Sequence, residues 1–293
     1  MKQNKSPQSE AYKYVKLWRS VFGENKFPID VKLIALEVAK NQKDPIKDIR
    51  KLSEFGANDI KCEGALYYSE SQNHWFIIYN DASKRSHNFT LAHEFGHYCL
   101  HREKYTKFEC SSEDVNDKSI QDLKDIEREA DTFASYLLMP IDDFRKQIDG
   151  QPISFDLFGK CVDRYQTSLI SVILKWLEFT ELYATFVASI DGFILWSFSS
   201  KPAIRRGIHF KKGTELPDNS FAKQKIDYRF LEKNLLPTDS WNYPYPVEEM
   251  SFYSDQYEQT FTLLIFKGVA ADNYDIQEEI EEDTVDFFTR FDK

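Results

Sequence analysis

Three of the chain's six histidines stand four residues apart, at His93, His97 and His101, inside the run "FTLAHEFGHYCLHREK". With Glu94 the run reads His-Glu-x-x-His. A helix advances ~100° per residue, so residues four apart project from one face, one turn apart. Two imidazoles placed this way can reach one ion, and neutral imidazole is a preferred zinc ligand. Glu94 falls about 60° around the helix from His97. That sets it beside such an ion without binding it, where its carboxylate can take a proton from a metal-activated water. The apolar Phe89, Leu91, Ala92, Phe95 and Leu100 predict that the rest of this helix is buried, so the histidines' polar atoms need partners. His101 lies ~12 Å along a continuous helix from His93, too far to share its ion. No glycine follows His97 to break the helix, so His101 is read as structural or as support for a ligand.

A third ligand must come from elsewhere, and "KDIEREADTFASYLLMP" is the best source. With Glu127 at 0°, Ala134 and Leu138 fall within ~20°, Asp131 at ~40° and Ala130 at about −60°. Glu127 therefore lies on a face of small and apolar residues, while Glu129 points the opposite way with Tyr136. A carboxylate on a buried face needs compensation, which a metal ion supplies. Small alanines there let this helix approach the histidine helix closely. Asp131, one turn on, is placed to accept the free N–H of a ligating histidine. The competing reading of Glu127 is an ion-paired, half-exposed helical residue.

The elements that must position these residues follow from periodicity and punctuation. Residues 9–22 and Val31–Lys40 read as helices, the second capped by Asp30. Ala65–Tyr68 and Trp75–Tyr79 read as a hairpin, and its second strand offers a possible edge for an extended peptide. The histidine helix spans roughly 87–101. An acidic stretch at 109–121 reads as loop, and a helix over 122–138 stops before Pro140. Two helices around Gln166–Ser168 fill 154–179. Beyond them the pattern turns to strands: a hairpin about Asp191–Gly192, a strand at 260–266 and a closing acidic helix in "DIQEEIEEDTVDFFTRF".

Composition bounds the function. The chain has 293 residues, a formal charge of −10 and a basic run only at "KPAIRRGIHFKKG" in its second half. Such a charge disfavours a general nucleic-acid surface, and charges in the 154–179 helices cancel where a DNA-reading helix would be basic. Four scattered cysteines without a Cys-x-x-Cys pair suit reduced thiols. With no signal-like N-terminus and no apolar run of membrane-spanning length, the expected location is the cytoplasm.

"FTLAHEFGHYCLH" followed after about 25 residues by "EREADTFASYLLMP" resembles the signature of the ImmA/IrrE family of metallo-endopeptidases, across approximately residues 27–140. The resemblance implies an α+β fold: a zincin-like minimal metallopeptidase domain of helices plus a small antiparallel sheet. It implies one Zn2+ per chain held by His93, His97 and Glu127, with Glu94 as general base. It also implies a protein substrate, a helix-turn-helix repressor in a phage, mobile-element or stress-response circuit. The expected organisation is a metallopeptidase domain over 1–145, a helix-turn-helix-like connector over 146–181 and a C-terminal α+β domain over 182–293, resembling the sensor-like (GAF-like) domain of longer members. A non-catalytic, metal-containing regulator that binds a repressor or senses a ligand is the alternative. A further oxyanion donor stays open among Tyr98, His101 and His209.

Overall fold

The computed structural model describes residues 6–55, 63–80, 87–109, 117–224, 233–255 and 257–269. Contacts divide the chain into two compact units, with the division between Ser171 and Val172. The acidic helix expected near the C-terminus lies outside the described residues. Among the described residues no helix is long and apolar enough to cross a membrane.

The first unit opens with α1 (Pro7–Phe22), whose proline begins the helix and whose chain leaves through Gly23 at φ 93°. Helix α2 (Val31–Ala39) is capped by Asp30, whose carboxylate accepts the Leu33 N–H at 2.9 Å. A four-stranded sheet follows from β1 (Ile46–Lys51), β2 (Gly64–Ser69), β3 (His74–Tyr79) and β4 (Lys107–Glu109), in the order β1-β3-β2-β4. Strands β2 and β3 form the expected hairpin, with Leu66 opposite Ile77. The β1–β3 pair is parallel, so the sheet is mixed. β3 is paired on both sides, by β1 and by β2, and therefore has no open edge for a peptide.

Helix α3 (His87–Leu100) carries the histidines, and α4 (Asp117–Leu138) carries Glu127. The latter begins within the stretch that reads as loop in the sequence. Residues 117–121 show no apolar periodicity, and a helix already nucleated downstream extends through such residues at little cost. Tyr14 of α1, Phe95 of α3 and Phe133 of α4 pack ring against ring, at centroid distances of 5.3, 5.6 and 6.1 Å. This cluster fixes the three helices around one core. Helices α5 (Ile141–Ile148) and α6 (Phe155–Tyr165) follow, and α7 (Leu169–Leu177) crosses the division between units. Buried Asp143 on α5 takes a two-pronged bond from Arg164, both contacts 2.8 Å, and the Tyr165 hydroxyl at 2.6 Å.

The second unit is built on an antiparallel sheet in the order β6-β5-β9-β8-β7. Its strands are β5 (Ala184–Ile190), β6 (Phe193–Ser199), β7 (Asn234–Leu236), β8 (Val247–Ser254) and β9 (Gln259–Phe266), with short helices α8 (Lys201–Arg205) and α9 (Phe221–Gln224) between them. Asp191 and Gly192, at φ 50° and 87°, make the two-residue turn that their sequence predicts. The aromatic segment 241–246 packs inward: Trp241 is buried and donates its indole N–H to Glu249. Burial pushes the Glu249 carboxyl above its ordinary value, against the bonds that it accepts from Ser220, Trp241, the Ala222 N–H and Ser251.

Candidate metal centre

Helix α3 is buried on almost every side, including Glu94 and His97. That burial rests on close approach to α4. A Cβ on Gly96 would lie 3.1 Å from a Phe133 ring carbon, 3.2 Å from the Ala130 carbonyl oxygen and 3.3 Å from the Ala130 Cα. Glycine on one helix and Ala130 and Ala134 on the other, all buried, let the two backbones nearly touch. The approach carries Glu127 to the histidines.

One ligand atom from each of His93, His97 and Glu127 falls within 4.8 Å of the other two. Nε2 of His93 is 2.9 Å from Nε2 of His97 and 3.1 Å from Oε2 of Glu127. Nε2 of His97 is 3.4 Å from Oε1 of Glu127. Tetrahedral zinc bound at about 2.0–2.1 Å separates its ligand atoms by roughly 3.3 Å. The three donors thus stand close to the spacing of three corners of such a tetrahedron, and their chemistry, two imidazoles and a carboxylate, suits the same ion.

The outer nitrogens decide which way the inner ones face. Nδ1 of His93 lies 2.8 Å from Oδ1 of Asp131, a carboxylate that can only accept, so the proton sits on Nδ1 and the Nε2 lone pair faces inward. Nδ1 of His97 is 3.0 Å from Nδ1 of His101, whose Nε2 is 2.9 Å from Glu129. Asp131 and His101 are both buried, each against one of the two histidines.

Electrostatics separate the two imidazoles. Burial would lower His93, but hydrogen bonds and charge from Asp131 and Glu127 outweigh it and hold the ring well above 6.5. Burial drives His97 down to about 4, with Glu127 opposing only in part and His93 adding to the fall. Glu127 would be raised by burial, yet its contacts with both imidazoles hold it below its ordinary 4.5. Burial also lowers His101, against the pull of Glu129. The side chains alone thus form a pocket that attracts a single cation between carboxylates, whether proton or metal.

Glu94 is buried beside this group, under the first residue of β2. A Cβ on Gly64 would stand 2.7 Å from Glu94 Oε1 and 2.5 Å from Thr90 Cγ2. Only a glycine lets the strand lie this close to the carboxylate.

The Tyr98 hydroxyl donates to the Asp44 carbonyl at 3.0 Å. Sequence reasoning missed Gly64, Gly96 and Glu129. A glycine inside a helix costs about 1 kcal/mol against alanine, and that cost was the available signal for Gly96. Helical geometry points Glu129 away from Glu127's face, yet it too reaches α3, with Oε2 2.9 Å from His101 Nε2.

Residues 54–176 match the family model described as Peptidase_M78, IrrE N-terminal-like domain. This stretch contains all of α3 and α4, so every residue of the site falls inside it. The fold and site define a metallopeptidase-type domain, and over this stretch the chain is similar to the IrrE N-terminal-like domain. Among solved structures, a Mycobacterium tuberculosis transcriptional regulator is similar in fold, with a TM-score of 0.53 at 10 % identity, over 88 % of this chain and 74 % of that one. No curated protein matches the chain.

Proposed function

We propose that this chain is a zinc-dependent endopeptidase that cuts a regulatory protein, in the manner its family resemblance implies for helix-turn-helix repressors. The observation that carries the reading is the convergence of His93 Nε2, His97 Nε2 and a Glu127 oxygen, with Glu94 buried alongside. Those three residues would hold the ion, and zinc there supplies Lewis acidity and a water with a pKa near 7. Glu94 takes the proton of the attacking water and returns it to the departing amine, as general base and then general acid. Asp131 holds the His93 ring in the orientation and tautomer that leave Nε2 facing inward. Burial of His97 and Glu94 keeps bulk water from these groups and strengthens their charge interactions. The second unit controls or targets the activity, and the location is the cytoplasm.

The test pairs metal analysis with a cleavage assay. Purified protein should contain about one zinc per chain. Co-expressed with the helix-turn-helix repressor encoded nearest its own gene, the wild type should cut it, and Glu94→Gln should keep the metal while losing activity by ~10²–10⁴-fold. Equal cutting by the variant removes Glu94 from the mechanism. Zinc with no cleavage of that repressor favours the alternative of a non-catalytic, metal-containing regulator.

A further inference from the structure

We propose that His101 and Glu129 form a positioning relay that fixes the tautomer of His97 and so sets the affinity of the site for its metal. The inference rests on the metal-site reading above and extends it to a residue, Glu129, that the ligand argument sets aside.

The two ligating histidines are supported differently. His93 gives its Nδ1 proton straight to the Asp131 carboxylate. At Nδ1 of His97 the neighbour is another imidazole, Nδ1 of His101, at 3.0 Å. An imidazole can either give or take a proton in such a pair, so this contact alone does not say which nitrogen of His97 is free. Glu129 removes the ambiguity. Its carboxylate, 2.9 Å from His101 Nε2, can only accept, which places the His101 proton on Nε2 and leaves a lone pair on Nδ1. That lone pair takes the Nδ1 proton of His97. Nε2 of His97 is left bare and facing Glu127 and His93. The opposite assignment would put a proton on His97 Nε2, in the space where the ion must bind.

Burial makes the relay stringent. His97 and His101 are 1 % and 2 % exposed, so water cannot easily substitute for either partner. Glu129 is the half-exposed end of the chain, with a side chain 40 % exposed, and it connects the buried pair to the surface of α4.

The relay predicts a pattern across four variants of the full chain, read as zinc affinity by competition with a chromophoric chelator and as the visible spectrum of the cobalt-substituted protein. Glu129→Leu removes the acceptor and should weaken metal binding ~10–100-fold, with an altered cobalt spectrum. Glu129→Gln keeps an acceptor oxygen and should recover most of the affinity. At the next position, His101→Phe should weaken binding by a similar factor, while His101→Gln, whose amide oxygen can accept the His97 proton, should restore part of it. A purely packing role would instead follow side-chain shape and leave the cobalt spectrum of Glu129→Leu unchanged. Wild-type affinity and spectrum in Glu129→Leu overturn the relay while leaving the metal site standing. A wild-type protein that binds neither zinc nor cobalt overturns both.

Discussion

Gly96 and Ala130 face each other so closely that a methyl group between them would be tightly squeezed: a Cβ on residue 96 would stand 3.2 Å from the Ala130 carbonyl oxygen. Two of the three nearest atoms are Ala130 backbone, which cannot rotate away, and the third is a packed Phe133 ring carbon at 3.1 Å, so a side chain at 96 presses on α4. Glu127 rides on α4 and the histidines on α3, so the spacing of the donor atoms depends on this contact. Gly96→Ala gains about 1 kcal/mol of helix propensity, and this partly offsets an overpacking cost of about 1–3 kcal/mol. We expect stability to change little and zinc affinity to fall; Gly96→Val should lower both. Unfolding midpoints and metal competition measure the two effects separately, and undiminished affinity in both variants would contradict this coupling.

Glu127 and Glu129 are two residues apart on one helix and touch different histidines, Glu127 both His93 and His97 and Glu129 His101. Glu127→Ala should reduce bound metal from about one ion per chain to almost none at micromolar protein. Glu129→Ala should still bind a full equivalent, more weakly. Elemental analysis after gel filtration distinguishes them, and full occupancy in Glu127→Ala would exclude it as a ligand.

Gly64 is the glycine under which Glu94 sits. Gly64→Ala would force its new Cβ against Glu94 Oε1 and Thr90 Cγ2, at 2.7 and 2.5 Å before relaxation. Metal content should hold while cleavage falls by ~10²-fold or more, the scale of a displaced general base. Adding Thr90→Ser relieves one of the two clashes. Should that second change restore full cleavage, the threonine contact and not the carboxylate is what matters.

The charge pattern gives a pH dependence with a definite sign. Glu127 is held below 4.5, so the stability it contributes is complete above 4.5 and is lost as pH falls. His93 is held above 6.5, so its contribution is complete below 6.5 and is lost as pH rises through the raised value. Treated with a chelator, the first unit should be most stable near pH about 6.5, because His97 and His101, both lowered by burial, add to the loss as pH falls below that value. Loaded with zinc it should gain stability towards higher pH, because ligation requires deprotonated imidazoles. Thermal unfolding across pH about 4 to 9, with and without metal, reads the difference. Parallel curves would rule it out.

Much of this centre is legible in the residue order because helical periodicity converts spacing into direction. His93 and His97 share a face, and Glu127 falls on the side of α4 that carries Ala130 and Ala134. Both hairpins are similarly marked, one by its strand runs and one by Asp191–Gly192. Strand β1 escapes notice because "IKDIRK" buries only Ile46 and Ile49, with an irregularity between Ile46 and Asp48. Its charged residues lie on an edge strand, where no strict alternation is imposed. Strand β4, three residues long, has no period to read. The His101–Glu129 contact escapes for another reason: it depends on how two helices cross, which no local pattern in either one encodes.

The buried Asp143 bears on how short the metallopeptidase-type unit can be made. A chain ended at residue 145, where the sequence suggests a boundary, would lose Arg164 and Tyr165 together, and with them the bonds that both carboxylate oxygens of Asp143 accept from these two residues. It would also strip the Tyr165 ring, 5.8 Å away and stacked, from Phe144, which is wholly buried in the full chain. Separating a buried ion pair costs on the order of 3–5 kcal/mol, a large part of a small domain's stability. Trimmed at 145 the fragment should precipitate; carried through α6 to 171 it should remain in solution. The shortest self-sufficient form is therefore set by charge neutrality at a position well along the chain from the candidate ligands.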